Sequence, residues 1–86
     1  MDELPHNLAA EAGLIGAVMF DNNVFERVRN LLSAEDFFAG EHYHLWTWIS
    51  ELINDGSAVD GTILRERVLG NEIFQYVGGV DYLGQL

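Results

Sequence analysis

The segment EHYHLWTWISELIN, residues 41–54, decides the fold. With about 100° of rotation per residue, a helix over this segment gathers one histidine and most of its large apolar side chains on a single face. That face carries His42, Leu45, Trp46, Ile49, Leu52 and Ile53. We expect it to pack against a core, with His42 partly buried and packed on Trp46 one turn later. Trp48 falls about 100° from the centre of the face, which predicts a position at its edge.

A helix is also predicted over Leu8–Phe20, where apolar residues recur at helical spacing behind Asn7, a favourable N-cap residue. Gly13 and Gly16 interrupt this helix, and each costs about 1 kcal/mol of helix propensity relative to alanine. We expect the close approach of another helix to be the reason for these glycines.

A second helix and a short turn are predicted between these two segments. Asn23 and Glu26 predict a reciprocal cap at the start of the second helix, which ends near Ser33. Residues 33–36 repeat the capping pattern, and they predict one helical turn that places the pair Phe37-Phe38 in the core.

Three further elements are predicted after residue 54. Asp60 caps a fourth helix, and Gly70 is well placed as its C-terminal glycine. A short helix covers residues 72–76, and after a turn at Gly78-Gly79 the residues 80–86 begin another helix. Because that last helix is unfinished, we expect the chain to be the head of a longer protein.

No segment alternates with the period of a strand, and the only proline is Pro5. The sequence therefore predicts an all-α fold, a small globular bundle of about five to six helices. Its 86 residues suffice for one domain, residues 1–86, and leave no room for a second.

The charge balance excludes several functions. Four arginines and no lysine face 14 acidic residues, for a formal net charge of -10. Nucleic-acid binding depends mainly on cations that neutralise phosphates, so we do not expect direct DNA binding by this chain. An acidic surface instead favours basic protein partners and repels anionic lipid head groups.

Cysteine is absent, which excludes disulfides, cysteine-ligated zinc and a thiol nucleophile. No apolar stretch approaches the roughly 18 residues of a membrane span, and the N-terminus is acidic where a secretory signal is basic. We therefore expect a soluble, cytoplasmic protein without a membrane segment.

Catalytic and metal-binding patterns are weak. His42 and His44, beside Glu41, are the one candidate metal set. Residues two apart on a helix point about 200° away from each other, however, and no third ligand is evident. The serines lack a nucleophile motif, and Gly78-Gly79 alone is not a nucleotide-binding motif. We expect no catalytic residue, no metal and no cofactor in this chain.

The remaining candidate function is binding of another protein through exposed aromatic residues. The helical period does not place Tyr43, Trp48 and Tyr82 firmly in the core. Exposed aromatic residues are typical anchors of protein interfaces. The alternative is that these three side chains merely cover a thin core.

Five motifs in register along the chain resemble the N-terminal domain of the DnaB-type bacterial replicative DNA helicases. Residues 5–17 resemble the family's first helix, which begins near a proline and runs through Glu-Ala-Glu-Gln to Leu-Gly. The remaining motifs follow without a gap: Glu35-Asp36-Phe37-Phe38; His42 with Leu45, Trp46 and Ile49; Gly56 with Val59-Asp60; and Gly78-Gly79-Val80-Asp81-Tyr82-Leu83. The departures from the family pattern are Ala9, Ala12, Gly13, Trp48 and Ile63.

The resemblance implies an all-helical head that the family continues with a helical hairpin, a linker and a RecA-like ATPase domain, none of which is in this chain. ATP and Mg would belong to that motor domain. In the family, the N-terminal domains pair as a trimer of dimers in a collar on the hexamer, and the collar helps to dock primase. The resemblance therefore implies a non-catalytic interaction and assembly domain of an ATP-dependent replicative helicase.

The resemblance also suggests site residues. Tyr82, with Asp81 beside it, is the candidate primase contact because it matches the family's aromatic residue, whereas the family's acidic contact on the first helix has become Ala9. Trp48, Tyr43 and Gly13 are the candidate self-association residues. A helicase loader is a further candidate partner.

Two different functions would fit a similar helical fold: the helicase-binding domain of a primase, and a stand-alone regulator of helicase or primase that lacks a motor. A methionine directly before the first motif argues against the C-terminal origin that a primase domain would have. Two more distant functions are a small enzyme or metal protein that uses Glu41, His42 and His44, and a DNA-binding helical domain.

Overall fold

The fold, taken from a computed structural model that describes residues 7–86, consists of helices and contains no strand within that range. The five α-helices are α1 (Leu8–Phe20), α2 (Asn23–Val28), α3 (Gly40–Asn54), α4 (Gly61–Leu69) and α5 (Glu72–Gln75). Two 3₁₀ helices cover Ala34–Asp36 and Gly79–Gln85. The predicted all-α fold is confirmed; Pro5 and His6, with which the first motif begins, lie outside the described residues.

The predicted caps of α1 and α4 are confirmed. The side chain of Asn7 accepts a hydrogen bond from the Ala10 amide at 2.9 Å, and that of Asp60 accepts from the Ile63 amide at 3.0 Å. Each cap satisfies an amide that has no partner within its helix, which is worth about 1 kcal/mol.

The predicted N-cap of α2 is wrong by one residue. Its N-cap is Asn22 rather than Asn23, and the Asn22 side chain does not cap the helix. Instead the side-chain nitrogen of Asn22, Nδ2, donates to the carbonyls of Val18 at 2.7 Å and Val59 at 2.9 Å, and its Oδ1 accepts from the backbone amide of Val59 at 2.7 Å. These three bonds tie the end of α1 to the segment before α4, and they satisfy partly buried backbone groups.

The predicted end of α2 is also too late. The α-helix ends at Val28, and the chain continues through turns, with the Leu31 amide donating to the Val28 carbonyl at 2.8 Å. At Ser33 the backbone is extended, and its amide donates to the Asp36 carboxylate at 2.8 Å. The chain therefore reverses into the first 3₁₀ helix, as the capping pattern predicts.

The core lies between α3 and the elements around it. It contains Ile15, Val18, Phe25, Phe37, Leu45, Trp46, Ile49, Val59, Leu64, Val68, Phe74 and Leu83. Trp46 packs against Phe25 and Phe37, with ring centroids 5.3 Å and 5.0 Å apart. The prediction that Phe38 shares this core is wrong, since Phe38 is 60% exposed. The backbone at Phe37 is extended, so consecutive side chains point in opposite directions.

Gly16 has a close neighbour, as the sequence predicts, but this neighbour is the backbone of Leu86 rather than another α-helix. A Cβ at Gly16 would lie 2.7 Å from the carbonyl carbon of Leu86, so Leu86 packs directly on α1. At Gly13, by contrast, no described atom outside its own helix turn lies within 4 Å of the position of a Cβ. The two glycines therefore have different surroundings.

The last segment is a 3₁₀ helix rather than the predicted α-helix. Gly78 and Gly79, with φ of 112° and 62°, take left-handed conformations that turn the chain after α5. With three residues per turn, Val80, Leu83 and Leu86 fall on one side, and all three pack on the core. An α-helix would rotate Leu86 away from Val80, which explains why the tighter helix forms here.

Candidate functional site

Three side chains that are distant in sequence meet beneath the surface where α1, α3 and the second 3₁₀ helix come together. His42 on α3 is 1% exposed. Its Nδ1 lies 2.8 Å from Oε1 of Glu11 on α1, and its Nε2 lies 2.5 Å from the hydroxyl of Tyr82. We call these residues, Glu11, His42 and Tyr82, the polar chain.

Glu11 holds more than the histidine. Its Oε2 accepts from the Phe38 amide at 2.8 Å, and its Oε1 also accepts from the Ala39 amide at 3.4 Å. Ala39 is the N-cap residue of α3, so the carboxylate lies at the positive end of the longest helix. Burial raises the pKa of Glu11, but the bonds from Phe38, His42 and Ala39 outweigh it and hold the pKa below its ordinary value of 4.5.

The chemistry of the three groups fixes the direction of the bonds. An ionised carboxylate only accepts hydrogen bonds, so Nδ1 of His42 carries a proton and donates to Glu11. A tyrosine hydroxyl both donates and accepts, so it donates to a neutral Nε2 and accepts from a protonated one. The polar chain is therefore satisfied in both charge states of the imidazole.

His42 lies on the buried face of α3, as predicted, but it is fully rather than partly buried, and its ring stacks on Tyr82 with centroids 5.9 Å apart. The predicted packing of His42 on Trp46 is replaced by this contact, because the Trp46 ring lies against Phe25 and Phe37. Glu11 is absent from the predicted site residues. One signal for it exists in the sequence: Glu11 is the sole charged residue of α1, in a run that is otherwise small or apolar.

Tyr82 is half-buried, and its hydroxyl points into the fold toward His42. Burial raises the pKa of Tyr82 above its ordinary value of 10.0, and the negative charges of Glu41 and Glu11 raise it further. Asp81, next to it, is exposed. The groups accessible at this point are therefore the outer part of the Tyr82 ring and the carboxylate of Asp81, rather than the phenol hydroxyl.

Aromatic rings continue from Tyr82 through a residue of α5 to three residues of α3. The ring centroid of Phe74 lies 6.3 Å from that of Tyr82, and Phe74 stacks on Trp48 with centroids 5.8 Å apart. The rings of Trp48 and His44 have centroids 5.7 Å apart, and those of His44 and Tyr43 meet edge-on with centroids 5.4 Å apart. We call this set, Tyr43, His44, Trp48, Phe74 and Tyr82, the aromatic row. Trp48 is half-buried at the edge of the core, as predicted, and Tyr43 is 40% exposed.

The aromatic row therefore joins Trp48 and Tyr43, predicted for self-association, to Tyr82, predicted for primase. Gly13, the third predicted self-association residue, is exposed on α1. No ring or hydrogen-bond contact links it to the row among the described residues.

The three members of the candidate metal set, Glu41, His42 and His44, do not converge on one point. Both ring nitrogens of His42 are engaged by Glu11 and Tyr82, whereas His44 lies in the aromatic row. Within residues 7–86, no group of three or more His, Asp or Glu side chains is arranged to hold a metal ion. No helix in the same range is long and apolar enough to cross a membrane.

Comparison with known proteins gives a consistent result. Residues 3–86 match the family described as the DnaB-like helicase N terminal domain. The chain is 33% identical over 82 residues to the replicative DNA helicase DnaB of Treponema pallidum, which covers 95% of this chain and 19% of that protein. It is 31% identical over 84 residues to the corresponding helicase of Buchnera aphidicola, with 98% and 18% coverage.

A third relative, the replicative DNA helicase DnaB of Rickettsia felis, is 31% identical over 83 residues, which are 96% of this chain and 17% of that protein. The chain thus spans about a fifth of the length of these relatives or less. Because the family match runs through all of the described helices, including the three residues of the polar chain, the chain belongs to the family of DnaB-like helicase N-terminal domains.

Proposed function

We propose that this chain is a non-catalytic interaction and assembly domain of a replicative helicase, which pairs with copies of itself in a hexamer collar and docks primase. The observation that carries the proposal is the aromatic row, which reaches the surface at Tyr43 and Tyr82 beside the acidic residues Glu41 and Asp81. Aromatic side chains with a polar surround are typical of protein interfaces.

The polar chain supports a structural rather than a catalytic role for the buried titratable groups. A carboxylate, an imidazole and a hydroxyl in sequence are the groups of a nucleophilic triad. Here, however, His42 is buried, and Glu11 also accepts from two backbone amides. A nucleophile must face a cleft that admits substrate, whereas the hydroxyl of Tyr82 points inward. ATP and Mg would act in a separate motor domain.

Self-pairing is supported by the surroundings of Gly13 and Tyr43. Space around the Cβ position of Gly13 leaves room for the close approach of a second chain, and the exposed part of Tyr43 offers an aromatic anchor. Trp48 supports Tyr43 through His44, and its half-buried ring extends the same surface. Pairs of this kind would associate further into a trimer of dimers.

Primase docking is assigned to Tyr82 and Asp81. The net charge of -10 would steer a basic partner surface toward them, and the carboxylate of Asp81 is accessible for an ion pair. A helicase loader is a second candidate partner of the same acidic surface. The proposed location is the cytoplasm, where such partners would act.

Direct DNA binding is not proposed for this chain. Two of its four arginines already pair within the fold, Arg29 with Glu26 at 2.9 Å and Arg67 with Glu51 at 3.1 Å. Few positive charges are therefore left to neutralise phosphates, which supply most of the affinity of proteins for DNA.

Sedimentation velocity tests the self-pairing half of the proposal. Gly13→Gln adds bulk at a site with no close neighbour in the chain, so it preserves the folded monomer, and we expect the dimer to dissociate. Phe20→Ala, at a 94% exposed residue at the end of α1, is the matched control and should leave pairing unchanged. A wild-type chain that stays monomeric at high concentration would remove self-pairing of the isolated domain.

Calorimetric titration with the helicase-binding domain of the cognate primase tests the docking half. We expect binding that weakens as salt is raised, because attraction between an acidic and a basic surface is screened. The reading frame beyond residue 86 separates the main proposal from a stand-alone regulator, since a phosphate-binding loop would follow only in a motor protein. The family match already favours the helicase over a primase domain.

A further inference from the structure

The second 3₁₀ helix depends on tertiary contacts for its orientation. It follows two glycines in left-handed conformations, Gly78 and Gly79, which let the chain turn sharply after α5. Leu83 anchors one side of the segment in the core, and Leu86 packs on Gly16 of α1. On the side that carries Tyr82, the hydrogen bond to His42 links the segment to α3.

His42 in turn is oriented by Glu11. An imidazole can rotate about its side-chain bonds, and a bond to one ring nitrogen fixes both the ring plane and the tautomer. The same carboxylate accepts from the Phe38 and Ala39 amides at the start of α3. Glu11 therefore sets the position of the imidazole relative to the helix that carries it.

We propose that Glu11 and His42 are positioning residues for docking through Tyr82: by holding the phenol hydroxyl inward, they present the Tyr82 ring and the Asp81 carboxylate to the partner in one fixed orientation. This inference rests on the proposed docking function. It gives the buried polar chain a purpose beyond stability, because fixing the anchor side chain before binding removes an ordering cost from the binding step.

Glutamine cannot replace Glu11 in this role. Glu11 uses both oxygens as acceptors, Oε2 toward Phe38 and Oε1 toward His42 and Ala39. Glutamine has one acceptor oxygen and an NH₂ group, so at one of these positions its NH₂ group would face another N–H donor. Tyr82→Phe removes only the last hydrogen bond of the polar chain, between His42 and Tyr82, and keeps the ring. It serves as the second variant should Glu11→Gln reduce folding.

A double-mutant cycle tests the inference, with affinity for the cognate primase domain measured by calorimetry on the folded fraction of each variant. We expect Glu11→Gln and Tyr82→Phe each to weaken binding about five- to tenfold, and the double variant to bind no more weakly than either single one. Non-additive losses of affinity are expected because both substitutions disrupt the same polar chain. Additive losses, or full affinity in Glu11→Gln, would overturn the positioning role.

Two further measurements separate the possible failures. Tyr82→Ala removes the anchor itself. Unchanged affinity in this variant would reject the docking contact and, with it, the positioning role. Loss of affinity in Tyr82→Ala but not in Glu11→Gln would reject the positioning role alone. Nitrogen NMR of His42 provides the spectroscopic readout. We expect a protonated Nδ1 in the wild type and in Tyr82→Phe, and a changed Nδ1 signal in Glu11→Gln.

Discussion

The carboxylate of Glu11 lies 2.8 Å from Nδ1 of His42, a residue 31 positions further along the chain. Through the opposite nitrogen, His42 reaches Tyr82, 40 positions further again. A buried polar chain therefore connects α1, α3 and the second 3₁₀ helix, in a fold whose core is otherwise apolar. Its inner end supports the start of α3, and its outer end is the residue proposed to meet a partner protein.

Acid should weaken the fold through Glu11. A carboxyl group whose pKa is lowered in the folded state contributes stability above its ordinary pKa of 4.5, and this contribution is lost as the pH falls through the lowered folded value. We therefore expect the wild type to exceed Glu11→Gln in free energy of unfolding at pH 7, and the difference to shrink below pH 4.5. Urea unfolding at a series of pH values measures this.

The control for that experiment is Glu66→Gln, at an exposed glutamate of α4, which removes one negative charge from the surface. Its free energy of unfolding should follow that of the wild type across the same pH range. A gap between wild type and Glu11→Gln that stays constant as the medium is acidified from neutral pH to well below 4.5 would contradict the assigned role of the Glu11 carboxylate.

Neighbouring asparagines should differ sharply in their importance. Asn22→Ala removes three hydrogen bonds to the backbone of Val18 and Val59, and we expect a loss of about 2 kcal/mol in unfolding free energy. Asn23→Ala, at an exposed position in the first turn of α2, should change stability by less than about 0.5 kcal/mol. Equal effects in thermal unfolding would show that the link from α1 to Val59 does not stabilise the fold.

The two glycines of α1 provide a second matched pair. Gly13→Ala adds a methyl group into open space and improves helix propensity, so it should stabilise the monomer by about 0.5–1 kcal/mol. Gly16→Ala places the same methyl group 2.7 Å from the backbone of Leu86 and should destabilise the fold. Opposite signs in chemical denaturation are expected; stabilisation by both changes would mean that Leu86 does not pack on α1.

Tyrosine titration provides a spectroscopic test of the polar chain. Burial and the charges of Glu41 and Glu11 raise the pKa of Tyr82 above 10.0. In absorbance titrations, the Tyr82→Phe variant should therefore lack a phenol that ionises later than an ordinary tyrosine, while Tyr76→Phe, at a 90% exposed residue, should retain it. Loss of the late phenol in Tyr76→Phe instead would show that the hydroxyl of Tyr82 is not held inside.

The sequence predicts most of the local structure because local structure depends on neighbouring residues. The apolar period of residues 41–54, and the capping side chains of Asn7 and Asp60, each act within a few residues, and the structure confirms them. The second 3₁₀ helix differs from the predicted α-helix because its geometry is set by the packing of Leu83 and Leu86 on distant elements. Periodicity over seven residues does not contain that information.

The polar chain could not be predicted for a related reason. Glu11 and His42 both stand out in the sequence, one as a charge in an apolar helix and the other as a polar residue on a core face. Nothing local indicates that they meet, since the contact depends on how α1 crosses α3. The family resemblance alone points to Tyr82 as a docking residue, and its inward hydroxyl is visible only in the structure.

The most direct test of the proposed function is the affinity of the cognate primase domain for wild type, Tyr82→Ala and Tyr76→Ala. Both substitutions remove a tyrosine from the C-terminal third of the chain, but Tyr76 lies outside the aromatic row and is 90% exposed. We predict a loss of at least about thirtyfold for Tyr82→Ala and none for Tyr76→Ala, with helicity unchanged in both. Equal affinities for all three proteins would contradict the assignment of Tyr82 as the docking residue.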